Sequence, residues 1–139
     1  MKINMTLDAP VEFFYHELIA SVLEDIRRQE GKKISWRELP GYNYDKKWGA
    51  TRAAHMHITQ AVPSQCYGYT MNTANQEFVC EYRLERKDDH SMVLKYTEQS
   101  KGKNAKVKAN SNVTEFMLGW LRKHRFKKMA KQMAQKYYN

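Results

Sequence analysis

Long hydrophobic runs are missing from this 139-residue chain. No stretch of about 18 apolar residues occurs, which excludes a transmembrane helix. The opening "MKINMTLDAP" alternates where a secretory leader would carry an apolar block, so a cytoplasmic location is the default expectation. Cysteine is scarce. Cys66 and Cys80 are the two, too few for a disulfide framework. Also lacking are a Ser-His-Asp pattern, a glycine-rich phosphate loop, paired-cysteine zinc spacing and a dinucleotide fingerprint. No cofactor is called for, and the reading leans away from an enzyme. His55-x-His57 is a spacing metals use, but no third ligand lies near it and the pair sits opposite Met56 and Ile58, so no metal site is expected.

Acids are nearly absent from one end. Residues 1–100 hold 13 Lys+Arg and 14 Asp+Glu, whereas residues 101–139 hold 11 Lys+Arg and one acid, Glu115. The whole excess behind the net charge of +9 therefore sits in the last 39 residues. Such asymmetry fits either a solvated helix or contact with an anionic partner. The basic residues Arg122, Lys123, Arg125, Lys127, Lys128 and Lys131 go around the helix and no base-reading motif accompanies them, which argues against specific nucleic-acid binding.

Aromatic residues and methionine are plentiful, with 9 Tyr, 5 Phe, 3 Trp and 8 Met, and the length suits one domain spanning 1–139. "KINMTL" alternates as a half-buried strand. Asp8 is read as a helix cap and Pro10 as a first-turn residue. Helical spacing of Phe14, Leu18, Val22 and Ile19, Leu23, Ile26 carries the chain to about Gln29, as one bent helix or two short ones, and Gly31 stops it. Period two follows at Ile34 and Trp36, then a turn-rich "LPGYNYDKKWG". Strands are read at "TRAAHMHIT", "CYGYTM", "EFVCEYRLER" and, counting by twos from Met92, "VLKYTEQSKG". A four-residue "NTAN" loop would set Tyr67 opposite Cys80 and Tyr69 opposite Phe78. Cys66 then lies on the other face from Cys80, against a bond between them. After a lysine-rich loop with Lys101, Lys103, Lys106 and Lys108, a helix is read from about Asn112 to Tyr138.

The stretches "LDAPVEFFYHEL", "LPGYNYDKKW", "YGYTM", "EYRLER", "LKYTEQ" and "FMLGWLRKHRFKKM" resemble a Gram-positive bacterial family of unknown function within the START-like, or SRPBCC, helix-grip superfamily. The likeness covers nearly the whole chain. It implies an α+β fold: an antiparallel sheet of about six strands wrapped against a long C-terminal helix, with one or two short helices after the first strand. It often implies a cavity between sheet and final helix, and no single activity.

Two features bear on function. The last helix has two apolar faces. Val113, Phe116, Met117, Trp120 and Leu121 form one stripe, while Phe126, Met129, Met133 and Tyr137 lie roughly opposite. The second group projects toward another subunit as a homodimer contact, or the helix bends, or the first helix covers it. The second feature is Glu98, which follows Met92, Leu94 and Tyr96 on one face of a strand. A carboxylate pointing inward must be paired, hydrogen-bonded or protonated. Inward tyrosines are natural partners, and His124, Arg37 and Arg52 are candidate cations. The other reading places Glu98 at a strand end in water. The favoured function is non-catalytic binding of a small, mostly apolar ligand. Its candidate walls are Trp36, Tyr67, Tyr69, Phe78, Tyr82, Leu94, Tyr96, Glu98, Phe116, Met117 and Trp120. The alternatives are an interaction module acting through the basic helix, and an enzyme using Glu98.

Overall fold

The computed structural model describes residues 1–102 and 121–139. Strand β1 (Lys2–Leu7) leads into helix α1 (Val11–Glu30), a short 3-10 turn (Trp36–Glu38), and strands β2 (Asn43–Trp48), β3 (Arg52–Val62), β4 (Cys66–Asn72), β5 (Gln76–Arg86) and β6 (Met92–Gly102). Helix α2 is described over 121–135 and ends in a 3-10 turn, Lys136–Tyr138. The strands form one antiparallel sheet in the order β1-β6-β5-β4-β3-β2. The fold is therefore α+β, and no helix among the described residues is long and apolar enough to cross a membrane.

The topology dictates one long helix after β1. Strands β1 and β2 are the two edges of the sheet, so the connection must cross its whole face. Six strands span about 24 Å at roughly 4.8 Å spacing. A 20-residue helix spans about 30 Å. Two short helices would not bridge that distance as directly. Pro10, not Asp8, takes the N-cap position with extended backbone and makes no side-chain cap. Gly31 ends the helix as expected: it adopts φ 71°, and its N–H donates to the Arg27 carbonyl at 2.8 Å.

Two sequence readings between α1 and β3 are corrected. Trp36 is not on a strand. Ser35 caps a 3-10 turn reciprocally with Glu38, which the Ser-x-x-Glu spacing encodes. "NYDKKW" is not a connection but edge strand β2, paired with β3 from Asn43↔His57 to Trp48↔Arg52. Its outer edge is partly satisfied by α1: the Gln29 side chain donates to the Lys47 carbonyl at 3.2 Å and accepts from the Lys47 N–H at 2.9 Å.

The β4–β5 hairpin differs in register by two residues. Tyr67 faces Tyr82, Tyr69 faces Cys80 and Met71 faces Phe78. The loop starts at Thr73, whose hydroxyl accepts from the Gln76 N–H at 3.0 Å. A shift of two preserves every face assignment, because side chains alternate with period two. In β3 the register shifts between Ile58 and Gln60. Gly68 faces that bulge, and a Cβ there would stand 2.9 Å from Thr59 Oγ1.

Both helices lie on one face of the sheet. The core joins Ile3, Leu7, Met92, Leu94 and Tyr96 from β1 and β6 to Phe14, Leu18 and Ile26 from α1 and to Phe126, Ala130 and Ala134 from α2. Cys66 and Cys80 are buried and free.

Candidate functional site

Glu98 is buried, with Met92, Leu94 and Tyr96 before it on the same face of β6. It is not a strand-end residue in water. Its Oε2 accepts from the Tyr96 hydroxyl at 2.8 Å, and its Oε1 pairs with Arg122 on α2. The cation is thus neither His124 nor Arg37 nor Arg52, the three that sequence offered. Arg122 also lies over the Phe78 ring, its Cζ 5.6 Å from the centroid. The group ties α2 to β5 and β6. Beside it an aromatic row crosses the sheet: Tyr67 to Tyr82 at 5.8 Å, Tyr82 to Tyr96 at 4.9 Å, and Tyr96 stacked on Phe126 at 4.1 Å. Burial pushes the hydroxyls of Tyr82, Tyr67, Tyr69 and Tyr96 above their ordinary range, with Cys80 adding to each.

A cavity of about 330 Å³ opens beside this row. One wall is a face of α1, with Leu18, Ser21, Val22, Asp25 and Arg28 at helical spacing and Glu24 beside them. The other wall is the sheet, with Tyr44, Lys46, Met56, Tyr67, Tyr69 and Tyr82. Of the sequence candidates, Tyr67, Tyr69 and Tyr82 meet there. Leu94 and Tyr96 are core residues, Glu98 is paired, and Phe78 packs under Arg122. Trp36 is 45% exposed and lines a different groove, on the opposite flank of α1, with Tyr15, His16, Ile19 and Leu23. Phe116, Met117 and Trp120 lie outside the described residues, as do Val113, Lys103, Lys106 and Lys108. This cavity sits between α1 and the sheet; the walls that the sequence reading gave a cavity under the last helix fall in part outside the described residues.

The tyrosines of the lining were anticipated, and its charged residues were not. Tyr44 donates to Asp25 Oδ2 at 2.7 Å, and Lys46 Nζ lies 3.1 Å from the same oxygen. Burial first, then that bond, raises the Tyr44 hydroxyl. Glu24 accepts from Arg27 and Arg28, which hold its carboxyl down at about 2. Deeper in, the hydroxyls of Tyr67 and Tyr82 make no hydrogen bond to another described residue. The one available signal was that Leu18, Val22, Asp25 and Arg28 share a helix face, so charge follows the apolar stripe toward its C-terminal end.

The face assigned to a homodimer is partly covered inside the chain, with Tyr137 still exposed. Phe126 is buried against Tyr82 and Tyr96, Met129 and Met133 pack on the core, and Tyr137 meets the Phe13 ring edge-on at 5.3 Å. Of the sequence alternatives, cover within the chain is what these contacts support, by the sheet at Phe126 and by the first helix at Tyr137. On the outer side of α2, Lys123, Arg125, Lys128 and Lys131 are exposed. His55 and His57 face β2, where Asn43 Oδ1 lies 3.0 and 2.9 Å from them and Asp45 lies 2.9 Å from His55.

A family described as "Domain of unknown function (DUF3284)" matches residues 1–119. No curated protein matches. Solved structures share the fold at low identity. A conserved protein from Geobacillus kaustophilus is 21% identical with a TM-score of 0.57, over 96% of this chain and 94% of that one. The Zhui aromatase/cyclase from Streptomyces sp. R1128 is 17% identical with a TM-score of 0.53, over 76% and 68%. Norcoclaurine synthase from Thalictrum flavum, in complex with dopamine and hydroxybenzaldehyde, is 9% identical with a TM-score of 0.56, over 88% and 80%. These likenesses match the six-stranded antiparallel sheet and its two helices to helix-grip folds.

Proposed function

The chain belongs to the DUF3284 family, and from that premise we propose that residues 1–139 act as one helix-grip domain that binds a small molecule, without transforming it, between α1 and the sheet. The carrying observation is the cavity of about 330 Å³, floored by Tyr67, Tyr69 and Tyr82. That volume is at the small end of ligand sites and fits a molecule of one or two rings. The phenol hydroxyls of Tyr67 and Tyr82, which make no hydrogen bond among the described residues, supply orientation, and Leu18, Val22 and Met56 supply apolar contact. Norcoclaurine synthase, of similar fold, holds two small aromatic compounds, which supports a small ring compound here.

Glu98 is not assigned a catalytic part. Tyr96 and Arg122 already occupy its two oxygens, a use that stability explains. The test is native mass spectrometry of the protein purified from cell extract, beside Val22→Trp, which fills the cavity from a half-buried position on α1. Wild type should carry a small noncovalent adduct that the variant lacks. An adduct equally abundant in a folded Val22→Trp protein, or an empty wild type that binds nothing from the extract, would sink the reading.

A further inference from the structure

Four charged side chains line the cavity: Glu24, Asp25, Arg28 and Lys46. Each already has an opposite charge inside the chain. Glu24 lies 2.6 Å from Arg27 and 3.2 Å from Arg28, and Lys46 lies 3.1 Å from Asp25. An entering ion finds no uncompensated counter-charge. It would either break one of these pairs or be partly desolvated alone, and with side chains this exposed each carries a modest penalty.

What remains open is hydrogen bonding. Tyr44 donates to Asp25 Oδ2, and the ion pair with Lys46 is made at the same oxygen. Its Oδ1 takes no hydrogen bond among the described residues and is an acceptor on the cavity wall. The hydroxyls of Tyr67 and Tyr82 lie deeper and can donate or accept. An anion is the less favoured of the two ionic classes, because the Asp25 charge reaches the floor, where it helps burial to raise the Tyr67 hydroxyl.

We propose that the ligand is an uncharged, ring-sized molecule carrying a hydroxyl or amide donor, which it gives to Asp25 Oδ1 while its ring lies against Tyr67, Tyr82 and Met56. This rests on the ligand-binding reading above and adds charge and donor selectivity to it.

The test uses the full chain and three probes of one shape: benzyl alcohol, benzylamine and benzoate. Each is titrated against isotopically labelled protein, and the backbone amide shifts of the cavity walls are followed. The alcohol should bind with a Kd on the order of 1 mM, and each charged analogue about two- to fivefold more weakly. Asp25→Asn keeps an oxygen for Tyr44 but turns the second position into a donor, so it should weaken the alcohol by about five- to tenfold. Lys46→Met leaves Asp25 without its cation and should bring benzylamine level with the alcohol or ahead of it. That gain is readable even if Asp25→Asn fails to fold. A charged probe that binds wild type as tightly as the alcohol overturns the selectivity and leaves the cavity reading standing. So does an alcohol indifferent to Asp25→Asn. If none of the three probes moves the cavity walls, or if Val22→Trp binds them unchanged, the ligand-binding reading falls with it.

Discussion

Glu98 shows what one residue can and cannot announce. Its place in the period-two pattern of β6 was readable, because Met92, Leu94 and Tyr96 fix the face. Its partner was not. Arg122 follows Glu98 by 24 positions and meets it through the packing of α2, which no local pattern encodes. The Glu98–Arg122 pair joins a buried carboxylate to a guanidinium that is 45% exposed. Removing the cation leaves the carboxylate partly uncompensated. We expect Arg122→Met, which keeps the contact with Phe78, to cost about 1–2 kcal/mol in urea unfolding, discounted for the exposed arginine. Tyr96→Phe should cost a similar amount by removing the donor to Oε2. If both variants unfold at the wild-type midpoint, the group contributes nothing to stability and a functional use for Glu98 regains its motive.

At the scale of elements, legibility followed burial. Strands β3, β5 and β6 bury alternate side chains and could be read from the sequence. Strand β2 buries only Tyr44 fully in "NYDKKW", so its pattern looks like a loop. The cavity was half-legible for the same reason. The tyrosines of β4 and β5 were placed on the right face, whereas Asp25 and Lys46 are exposed enough to look like ordinary surface charge. The β4 face at the bulge yields a sharper prediction. Gly68→Ala places a methyl 2.9 Å from Thr59 Oγ1 and 3.1 Å from the Gln60 Cγ. Because Thr59 is branched at Cβ and stiff, the strand must shift, at a cost of about 1–2 kcal/mol. Thr59→Ala in the same chain should recover part of that loss, and the thermal midpoints of the two single variants and the double variant decide the matter.

The molecule as a whole is packed around phenols, and this sets its response to alkali. Tyr15 is pushed up to about 12 by burial and by Cys66, and Tyr67, Tyr69, Tyr82 and Tyr96 are pushed up by burial as well. Each group therefore favours the neutral form in the folded chain. Its contribution is fully present below the ordinary tyrosine value of about 10 and is lost as pH rises toward the folded value. For each such group the loss approaches about 1.4 kcal/mol per pH unit. The buried tyrosines should ionise together with unfolding, in one steep transition between about pH 10 and 12. Tyrosinate absorbance and circular dichroism should then change in step. A gradual titration centred near 10 with intact dichroism would show that these hydroxyls reach water in the folded state.

The two bonds from Gln29 to Lys47 have a consequence beyond the single molecule. An open strand edge is a template on which a foreign strand can seed and a fibril can elongate. A single amide on α1 already occupies one donor and one acceptor of β2 at that edge. Shelf life in concentrated solution should therefore hang on a residue that touches neither core nor cavity. Gln29→Ala should leave the unfolding free energy within about 0.5 kcal/mol of wild type and shorten the lag before amyloid-dye fluorescence appears.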